Sequence, residues 1–199
     1  MVASGQQVED RLVDAELVRR TLEGDTEGFD ELIRRYQRRA VSVAYRLLGN
    51  AHDAMEVCQD AFLRAYRSLE SLKDPERFGP WLMRTVSNLS LNFRRSRRQS
   101  TPIPVDDCLL SGGEEGMGSD WMASAGMPPD EALASELGVA ISKAINELPE
   151  KQRLALVLFA IEGIAQKDVA DTLECSVEAV KWHVFQARKT LKEKLADYL

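Results

Sequence analysis

The sequence contains few of the residues from which metal centres and disulfide frameworks are built. Its 199 residues include three cysteines, Cys58, Cys108 and Cys175, and two histidines, His52 and His183. No Cys-x-x-Cys pair occurs, and the two histidines are far apart in the chain, so the spacing predicts neither a metal site nor a disulfide framework. We expect three free thiols, no bound metal and no cofactor.

Long hydrophobic runs and a secretion signal are missing as well. The longest apolar run, Leu154 to Ile161, has eight residues, whereas a membrane-spanning helix needs about 20. The N-terminal stretch MVASGQQVEDR has neither the basic start nor the apolar core of a secretion signal. These features predict a cytoplasmic protein that does not insert into a membrane.

Lysine and arginine are absent from the middle of the chain. Residues 99–131 contain seven acidic residues, five glycines and four prolines, and their net charge is -7. The flanking blocks are nearly neutral, with +2 for residues 1–98 and -1 for residues 132–199, which together give the total of -6. A segment of this composition cannot bury enough apolar surface to offset the entropy of ordering. The sequence therefore predicts a flexible acidic linker between two small domains, 1–98 and 132–199.

Both flanking blocks have the hydrophobic periodicity of helices, and no segment alternates at period two. In the first block the apolar repeats are Leu12, Ala15, Leu17 and Val18, then Phe29, Leu32, Ile33 and Tyr36, then Val43, Ala44, Leu47 and Leu48. Helix breaks are expected at EGDTEG, LLGNAHD and SLKDPERFGP. In the second block the pattern predicts helices near 132–148, 150–162 and 166–173, and a last one from Ser176. The predicted fold class is all-α, with two small helical domains.

One helix face in the first block is rich in acidic residues. In the stretch NAHDAMEVCQDAFLRAYRSLESL the apolar stripe consists of Ala54, Val57, Ala61, Ala65 and Leu69. A different face carries Asp53, Glu56, Gln59 and Asp60. Acids in a first turn also suit the helix macrodipole, so a solvated surface is one interpretation of this face. The other is a docking surface for a basic partner.

The stretch FGPWLMRTVSNLSLNFRRSRRQ combines amides, an aromatic ring and guanidiniums on one side of a helix. Leu82, Val86, Leu89 and Phe93 fall within about 60° of one another at 100° per residue, which predicts a buried stripe. The opposite side carries Trp81, Arg84, Asn88, Asn92 and Arg95, and the helix ends in Arg94, Arg95, Arg97 and Arg98. Such a face can stack a base, bond base edges and hold phosphates. A solvated face with a basic tail is the alternative, and the ordered placement of the tryptophan and asparagines favours nucleic acid.

The C-terminal stretch has the pattern of a helix-turn-helix. Two short helices are joined by a tight turn, and the second is basic toward its end and begins after Ser176, a good N-cap. Its predicted buried stripe is Val177, Val180, Val184, Ala187, Leu191 and Leu195. The residues that point away from that stripe are Trp182, Phe185, Gln186 and Lys189, with Lys181 and Arg188 on the flank. An exposed Trp-Phe pair suits a face that enters a major groove, although packing of Trp182 against the linker is the alternative.

Three motifs in this order resemble the extracytoplasmic-function sigma factors, two-domain specificity subunits of bacterial RNA polymerase. DAMEVCQDAFLRAYRSL resembles the polymerase-binding helix of that family, RFGPWLMRTVSNLSLNFRRSRR its -10 helix, and LPEKQRLALVLFAIEGIAQKDVADTLECSVEAVKWHVFQARKTLKEKL its -35 helix-turn-helix. The resemblance implies a sigma-2-like bundle and a sigma-4-like domain. It also implies a transcription initiation subunit that is not an enzyme.

The resemblance assigns a partner to each surface. Asp53, Glu56, Gln59, Asp60 and Phe62 would bind the clamp coiled coil of the polymerase largest subunit, and the polymerase flap region is also an implied contact. The loop 71–81 would hold a flipped base of the non-template -10 strand, together with Trp81, Arg84, Asn88, Asn92, Arg95, Arg97 and Arg98. The last helix would read -35 duplex DNA through Lys181, Trp182, Phe185, Gln186, Arg188 and Lys189. An anti-sigma factor is an implied regulatory partner.

The helix-turn-helix departs from the family pattern at several positions. Ala165 stands where a Ser or Thr usually caps the first short helix, and Glu174 stands at a turn position that is commonly Gly. In KWHVFQARK, Trp182 replaces a small residue, while His183 and Gln186 replace arginines. We therefore expect the usual docking of this helix with an altered base preference.

Two other function classes compete with a sigma factor. A stand-alone helix-turn-helix regulator would bind a symmetric operator without polymerase. A nucleic-acid enzyme would need a clustered acid triad, metal-ligand spacing or a Gly-rich phosphate loop, and the sequence contains none of these.

Overall fold

A computed structural model describes residues 3–100 and 136–198, and in these residues all regular secondary structure is helical. The N-terminal half contains α1 (Ala3–Leu22), α2 (Thr26–Leu48), α3 (Ala51–Arg67), two 3-10 turns (Leu69–Ser71 and Pro75–Arg77) and α4 (Phe78–Ser100). The C-terminal half contains α5 (Glu136–Asn146), α6 (Glu150–Ala155) continuing into a π segment (Leu156–Ile161), α7 (Gln166–Leu173), α8 (Val177–Lys194) and a 3-10 turn (Ala196–Tyr198). The all-α prediction is confirmed. Most of the predicted linker, with Cys108, lies outside the described residues.

The predicted breaks in the N-terminal half coincide with helix caps. Asp25 accepts a hydrogen bond from the backbone N–H of Glu27 at 3.0 Å and so begins α2. Gly49 ends α2 in the left-handed conformation at φ 77°, a conformation that favours glycine. Asn50 then accepts from the N–H of Asp53 at 3.0 Å and begins α3. Local cap chemistry therefore separates α1, α2 and α3 at the positions that the sequence predicts.

The N-terminal helices pack around one apolar centre. Its fully buried side chains include Val18, Leu32, Val41, Phe78, Leu82 and Val86. The predicted stripe of α1 is wrong at Leu12, whose side chain is 54% exposed, because only the face with Ala15, Leu17 and Val18 turns toward the bundle.

In the C-terminal half, apolar side chains are buried beneath the helix-turn-helix and continue the same apolar cluster as the core of the N-terminal half. Leu154, Val157, Leu158, Val169, Val180 and Val184 are buried there. Arg153, which is 2% exposed, donates a hydrogen bond to the carbonyl of Asn146 at 2.9 Å. The guanidinium thus lies at the C-terminal end of α5, where the helix macrodipole favours a cation.

The two halves lie against each other in the described structure. Arg94 on α4 donates a hydrogen bond to the carbonyl of Asn146 at 3.2 Å, and Arg46 on α2 forms an ion pair with Glu162 at 2.6 Å. The side chain of Asn146 also lies against Gly49. Separately, none of the helices within the described ranges combines the length and apolarity needed to cross a bilayer.

Candidate nucleic-acid interface

The predicted acidic face lies on the outside of α3. Glu56, Gln59 and Asp60 are exposed, whereas Asp53 is half-buried because its carboxylate forms an ion pair with Arg97 of α4. This contact joins a predicted polymerase-binding residue to a predicted -10 residue within the same bundle. The exposed part of the face is therefore Glu56, Gln59 and Asp60.

An apolar groove of about 620 Å³ runs beside this face, between α2 and α3. Phe62, which the sequence analysis placed on the docking surface, is only 8% exposed and lines the groove rather than protruding. Leu63 and Tyr66 line the same groove and are 54% and 48% exposed. The Tyr66 ring packs edge-on against Phe29, with 5.0 Å between the ring centroids. The groove places a hydrophobic surface next to the carboxylates.

The sequence analysis did not include Leu63 and Tyr66 among the candidate residues of the docking surface. Both are apolar side chains that fall outside the buried stripe of α3, and this misplacement is the signal that could have identified them. Large apolar side chains on a surface mark interaction sites when they form a contiguous patch.

The outward face of α4 presents the predicted polar groups. Arg84, Asn88, Asn92 and Arg95 are exposed, and Leu82, Val86 and Leu89 are buried on the opposite side. Trp81 differs from the prediction of a fully outward ring. It is half-buried because it packs against Phe78, with 6.0 Å between the ring centroids. Arg97 is exposed, and the side chain of Arg98 lies outside the described part of the chain.

A buried polar pair holds the start of α4 in place. Gly79 packs so closely on Tyr36 that an added Cβ would lie 2.6 Å from the Tyr36 Oη atom. That hydroxyl donates a hydrogen bond to Asp14 of α1 at 2.5 Å. Burial and the bond to Asp14 raise the pKa of Tyr36, so the phenol stays protonated and remains a donor at neutral pH. The first turn of α4, the predicted -10 helix, therefore packs against Tyr36 of α2, which is bonded to Asp14 of α1.

The loop before α4 encloses a cavity of about 320 Å³. From the N-terminal half it is lined by Ser71, Leu72, Lys73, Asp74, Arg77, Pro80, Trp81 and Arg84. Its remaining wall comes from α7 of the C-terminal half, through Asp168, Asp171 and Thr172. The carboxylate of Asp168 forms an ion pair with Arg77. The first helix of the helix-turn-helix therefore forms one wall of the cavity at the loop that the sequence analysis predicted to hold a base.

The helix-turn-helix is formed by α7, a tight turn and α8. Ala165 provides no side-chain cap to α7, as its sequence predicts. Glu174 closes α7 in the left-handed region at φ 50°, and its N–H donates to the carbonyl of Ala170. Ser176 caps α8 by accepting from the N–H of Ala179 at 3.1 Å. These local contacts end α7 and begin α8 within a few residues, which is the short connection of a helix-turn-helix.

The outward face of α8 carries aromatic rings between cations. Trp182 and Phe185 are 54% and 64% exposed. Gln186 is half-buried, and the exposed basic residues are Lys181, Arg188 and Lys189. Burial, and then the charge of Lys151, lower the pKa of His183, so this imidazole is neutral at neutral pH and adds no charge to the face.

Comparison with known proteins decides the family. Residues 32–100 match Sigma-70 region 2, and residues 138–191 match Sigma-70, region 4. The chain is 31% identical over 186 residues to the ECF RNA polymerase sigma-E factor of Haemophilus influenzae, covering 94% of this chain and 97% of that protein. It is 29% identical over 182 residues to the ECF RNA polymerase sigma factor SigW of Bacillus subtilis, covering 90% of this chain and 95% of that protein. The chain belongs to the extracytoplasmic-function sigma factors. This family consists of transcription initiation factors that are not enzymes.

The fold of the sigma factor agrees with that of a solved relative. The sigma factor RpoE of Bartonella quintana, solved in complex with the anti-sigma factor NepR, superposes with a TM-score of 0.66 at 20% identity. The match covers 86% of this chain and 98% of that chain.

Region 2 of the sigma factor contains the faces of α3 and α4, and region 4 contains the face of α8. The two predicted nucleic-acid faces lie on helices of different halves. Arg95 contacts the other half directly, through an ion pair with Glu150 at 2.6 Å.

Proposed function

We propose that this sigma factor binds core RNA polymerase through α3, opens the -10 element with α4 and the loop 71–81, and reads the -35 element with α8. Residues 1–98 and 132–199 would act as separate domains, with 99–131 as the linker between them. The observation that carries the proposal is that α4 and α8, one in each matched region, turn a nucleic-acid-like face away from a buried stripe.

Charge and apolar surface together suit α3 for polymerase. The carboxylates of Glu56 and Asp60 would attract a basic partner and orient it. The adjacent groove would then receive apolar side chains of that partner between Leu63 and Tyr66, since a buried apolar centre supplies most of the affinity in protein interfaces. The clamp coiled coil of the largest subunit is the proposed partner.

The α4 face is suited to a single strand. Asn88 and Asn92 can bond base edges, Arg84 and Arg95 can hold phosphates, and the exposed part of Trp81 offers a stacking surface. A base that leaves the duplex would enter the cavity of the loop 71–81, and its removal from the stack would hold the strands apart.

The α8 face is suited to duplex DNA. An α-helix fits the major groove, where Gln186 can bond adenine and Phe185 can contact a thymine methyl. Lys181, Arg188 and Lys189 would contact phosphates, which contribute affinity rather than sequence preference.

We also propose that an anti-sigma protein restrains this factor in the cytoplasm. The support is the Bartonella quintana relative, whose similar fold was solved with its anti-sigma factor.

The test is reconstitution with core RNA polymerase, followed by sequencing of the transcript starts. Wild-type protein should direct initiation at a defined set of promoters. Leu63→Ala should weaken core binding about tenfold or more, since a buried interface leucine is lost, whereas Leu22→Ala serves as an exposed-leucine control. Asn88→Ala combined with Asn92→Ala should retain core binding and lose strand opening.

Two variants of α8 separate base readout from phosphate contact. Gln186→Ala should change the -35 preference, while Lys189→Ala should weaken binding to all sequences alike. Failure of wild-type protein to bind core or to start site-selective transcription would refute the proposal. Binding to a symmetric operator without polymerase would instead favour a stand-alone regulator.

A further inference from the structure

The end of α4 extends beyond the buried stripe of this helix. Phe93 is the last apolar residue of α4, and it packs partly buried against the core. The side chain of Arg94 is half-buried, and those of residues 95–97 are exposed. Residues 94–97, the tail of α4, are therefore not held in place by apolar burial of their own.

Arg97 lies on the side of this tail that faces α3. At 100° per residue it is about 40° from Phe93 and about 180° from Asn88, so it continues the line of the buried stripe. The structure agrees with this geometry, because the guanidinium of Arg97 forms an ion pair with the carboxylate of Asp53 on α3. Arg97 is thus turned away from the proposed -10 face that carries Asn88 and Asn92.

Asp53 is suited to hold a neighbouring helix. Its side chain is only 14% exposed, compared with 57% for Arg97, so salt screens this pair less than two fully exposed charges. The carboxylate lies in the first turn of α3 and the guanidinium in the last turn of α4, and the two helix macrodipoles favour these charges. Both residues belong to region 2, so the pair does not require the C-terminal half of the chain.

Building on the function proposed above, we infer that Asp53 is a positioning residue for the -10 surface rather than a polymerase contact. The ion pair with Arg97 fixes the tail of α4 against α3. Arg95 lies about 160° around the helix from Arg97, so the same pair directs Arg95 outward, toward the phosphates of the promoter. A tail that is ordered in advance avoids the entropy loss of ordering on the DNA. Arg97 itself holds the helix and contacts no phosphate.

The experiment measures two affinities for each variant. Labelled sigma factor is titrated with core polymerase, and the holoenzyme is titrated with fluorescein-labelled fork-junction DNA of a promoter that the wild-type protein uses in the reconstitution above. Asp53→Ala and Arg97→Ala should each weaken fork-junction binding about fivefold, equivalent to about 1 kcal/mol, and leave core affinity unchanged. Loss of an acid by itself strengthens DNA binding, so the weaker binding of Asp53→Ala cannot come from net charge.

The salt dependence distinguishes positioning from a phosphate contact. Arg95→Ala removes a proposed phosphate contact and should lower the slope of log affinity against log salt concentration by about one. Asp53→Ala and Arg97→Ala should instead share one slope. The double variant should be about as weak as either single variant, because each substitution already removes the whole pair. A slope lowered by about one in Arg97→Ala alone would make Arg97 a phosphate contact and overturn the inference.

Two rescue variants exclude a general loss of structure. Asp53→Glu keeps the carboxylate and should bind fork-junction DNA like wild type. Asp53→Arg combined with Arg97→Asp keeps the net charge and restores an ion pair in reversed order, so it should bind this DNA more tightly than Asp53→Ala or Arg97→Ala. Arg19→Ala, which removes an exposed pair with Glu16 on α1, is the matched control and should leave both affinities unchanged.

The inference is overturned if Asp53→Ala weakens core binding, if it leaves fork-junction binding unchanged, or if neither rescue variant binds better than the alanine variants. The wild-type protein distinguishes these results from failure of the proposed function. Wild-type protein that neither binds core nor initiates at promoters would refute the proposed function. Wild-type protein that initiates, with variants that behave differently from these expectations, would refute the positioning role of Asp53 alone.

Discussion

Replacement of Asp14 by alanine tests whether the polar pair beneath α4 stabilises region 2. Asp14 is 1% exposed, and it accepts from Tyr36 Oη at 2.5 Å and from Arg35 Nε at 3.0 Å. Hydrogen bonds to a charged group contribute roughly 1.5–3 kcal/mol each. The substitution also removes the cost of burying the carboxylate, and Arg35 keeps Asp10 as a second partner. The expected loss in the free energy of unfolding is therefore about 2–3 kcal/mol.

Asp10→Ala is the matched control, because Asp10 pairs with the same guanidinium from an exposed position. An exposed ion pair contributes about 0–1 kcal/mol, so urea unfolding followed by circular dichroism should separate the two variants clearly. If Asp14→Ala fell within about 0.5 kcal/mol of Asp10→Ala, the burial of the pair would have no energetic consequence and the reasoning would fail.

The pH dependence provides a second readout of the same pair. Burial raises the pKa of Asp14, while the bond from Tyr36 and the charge of Arg35 oppose that rise. A raised carboxyl pKa in the folded state makes stability fall as pH increases through that pKa. Arg35→Met removes one opposing contribution and raises the folded pKa further. Its cost relative to wild type should therefore be larger at pH 7 than near pH 4, and a cost independent of pH would contradict this account.

Three further predictions concern single positions. Gly79→Ala brings a Cβ within 2.6 Å of Tyr36, so the free energy of unfolding should fall by about 1–3 kcal/mol; an unchanged thermal midpoint would contradict the close packing. Glu174→Gly relieves the left-handed backbone at φ 50° and should stabilise the protein by up to about 1 kcal/mol, unless urea unfolding shows a loss instead. Burial raises the pKa of Cys58 to about 12, so iodoacetamide at neutral pH should leave it unmodified until urea is added, while the half-buried Cys175 reacts faster in peptide mass spectra. Equal rates in native protein would refute that difference.

Local chemistry explains why most helices could be predicted from the sequence. Helix ends depend on neighbours a few residues away, as with Gly49 and Asn50 between α2 and α3. The same holds for Glu174 and Ser176 in the helix-turn-helix. Hydrophobic periodicity likewise distinguishes the buried face from the outward face in α4 and in α8, because the pattern depends only on the residues of that helix.

Features that depend on two helices could not be predicted in the same way. Trp81 occupies an outward position of α4 by periodicity, yet its ring packs against Phe78, which is itself packed against Phe29 and Tyr36 of α2. Phe62 likewise turns into a groove whose other wall is α2. Spacing within α3 or α4 does not mark the side chains of α2 that pack against these two helices, so the sequence identified the helices but not how they contact α2.

The net charge of region 4 does not reveal where its acidic and basic residues lie on the surface. Residues 132–199 carry 9 basic and 10 acidic residues and are almost neutral. In the fold, Glu150, Glu162 and Asp168 face the arginines of region 2. The exposed cations of α8 are Lys181, Arg188, Lys189, Lys192 and Lys194. Surfaces of opposite charge on one domain can attract different partners even when the net charge of the domain is close to zero. Because these acids pair with arginines of region 2 while cations of α8 are exposed, the near-neutral balance of residues 132–199 does not describe the charge of either surface.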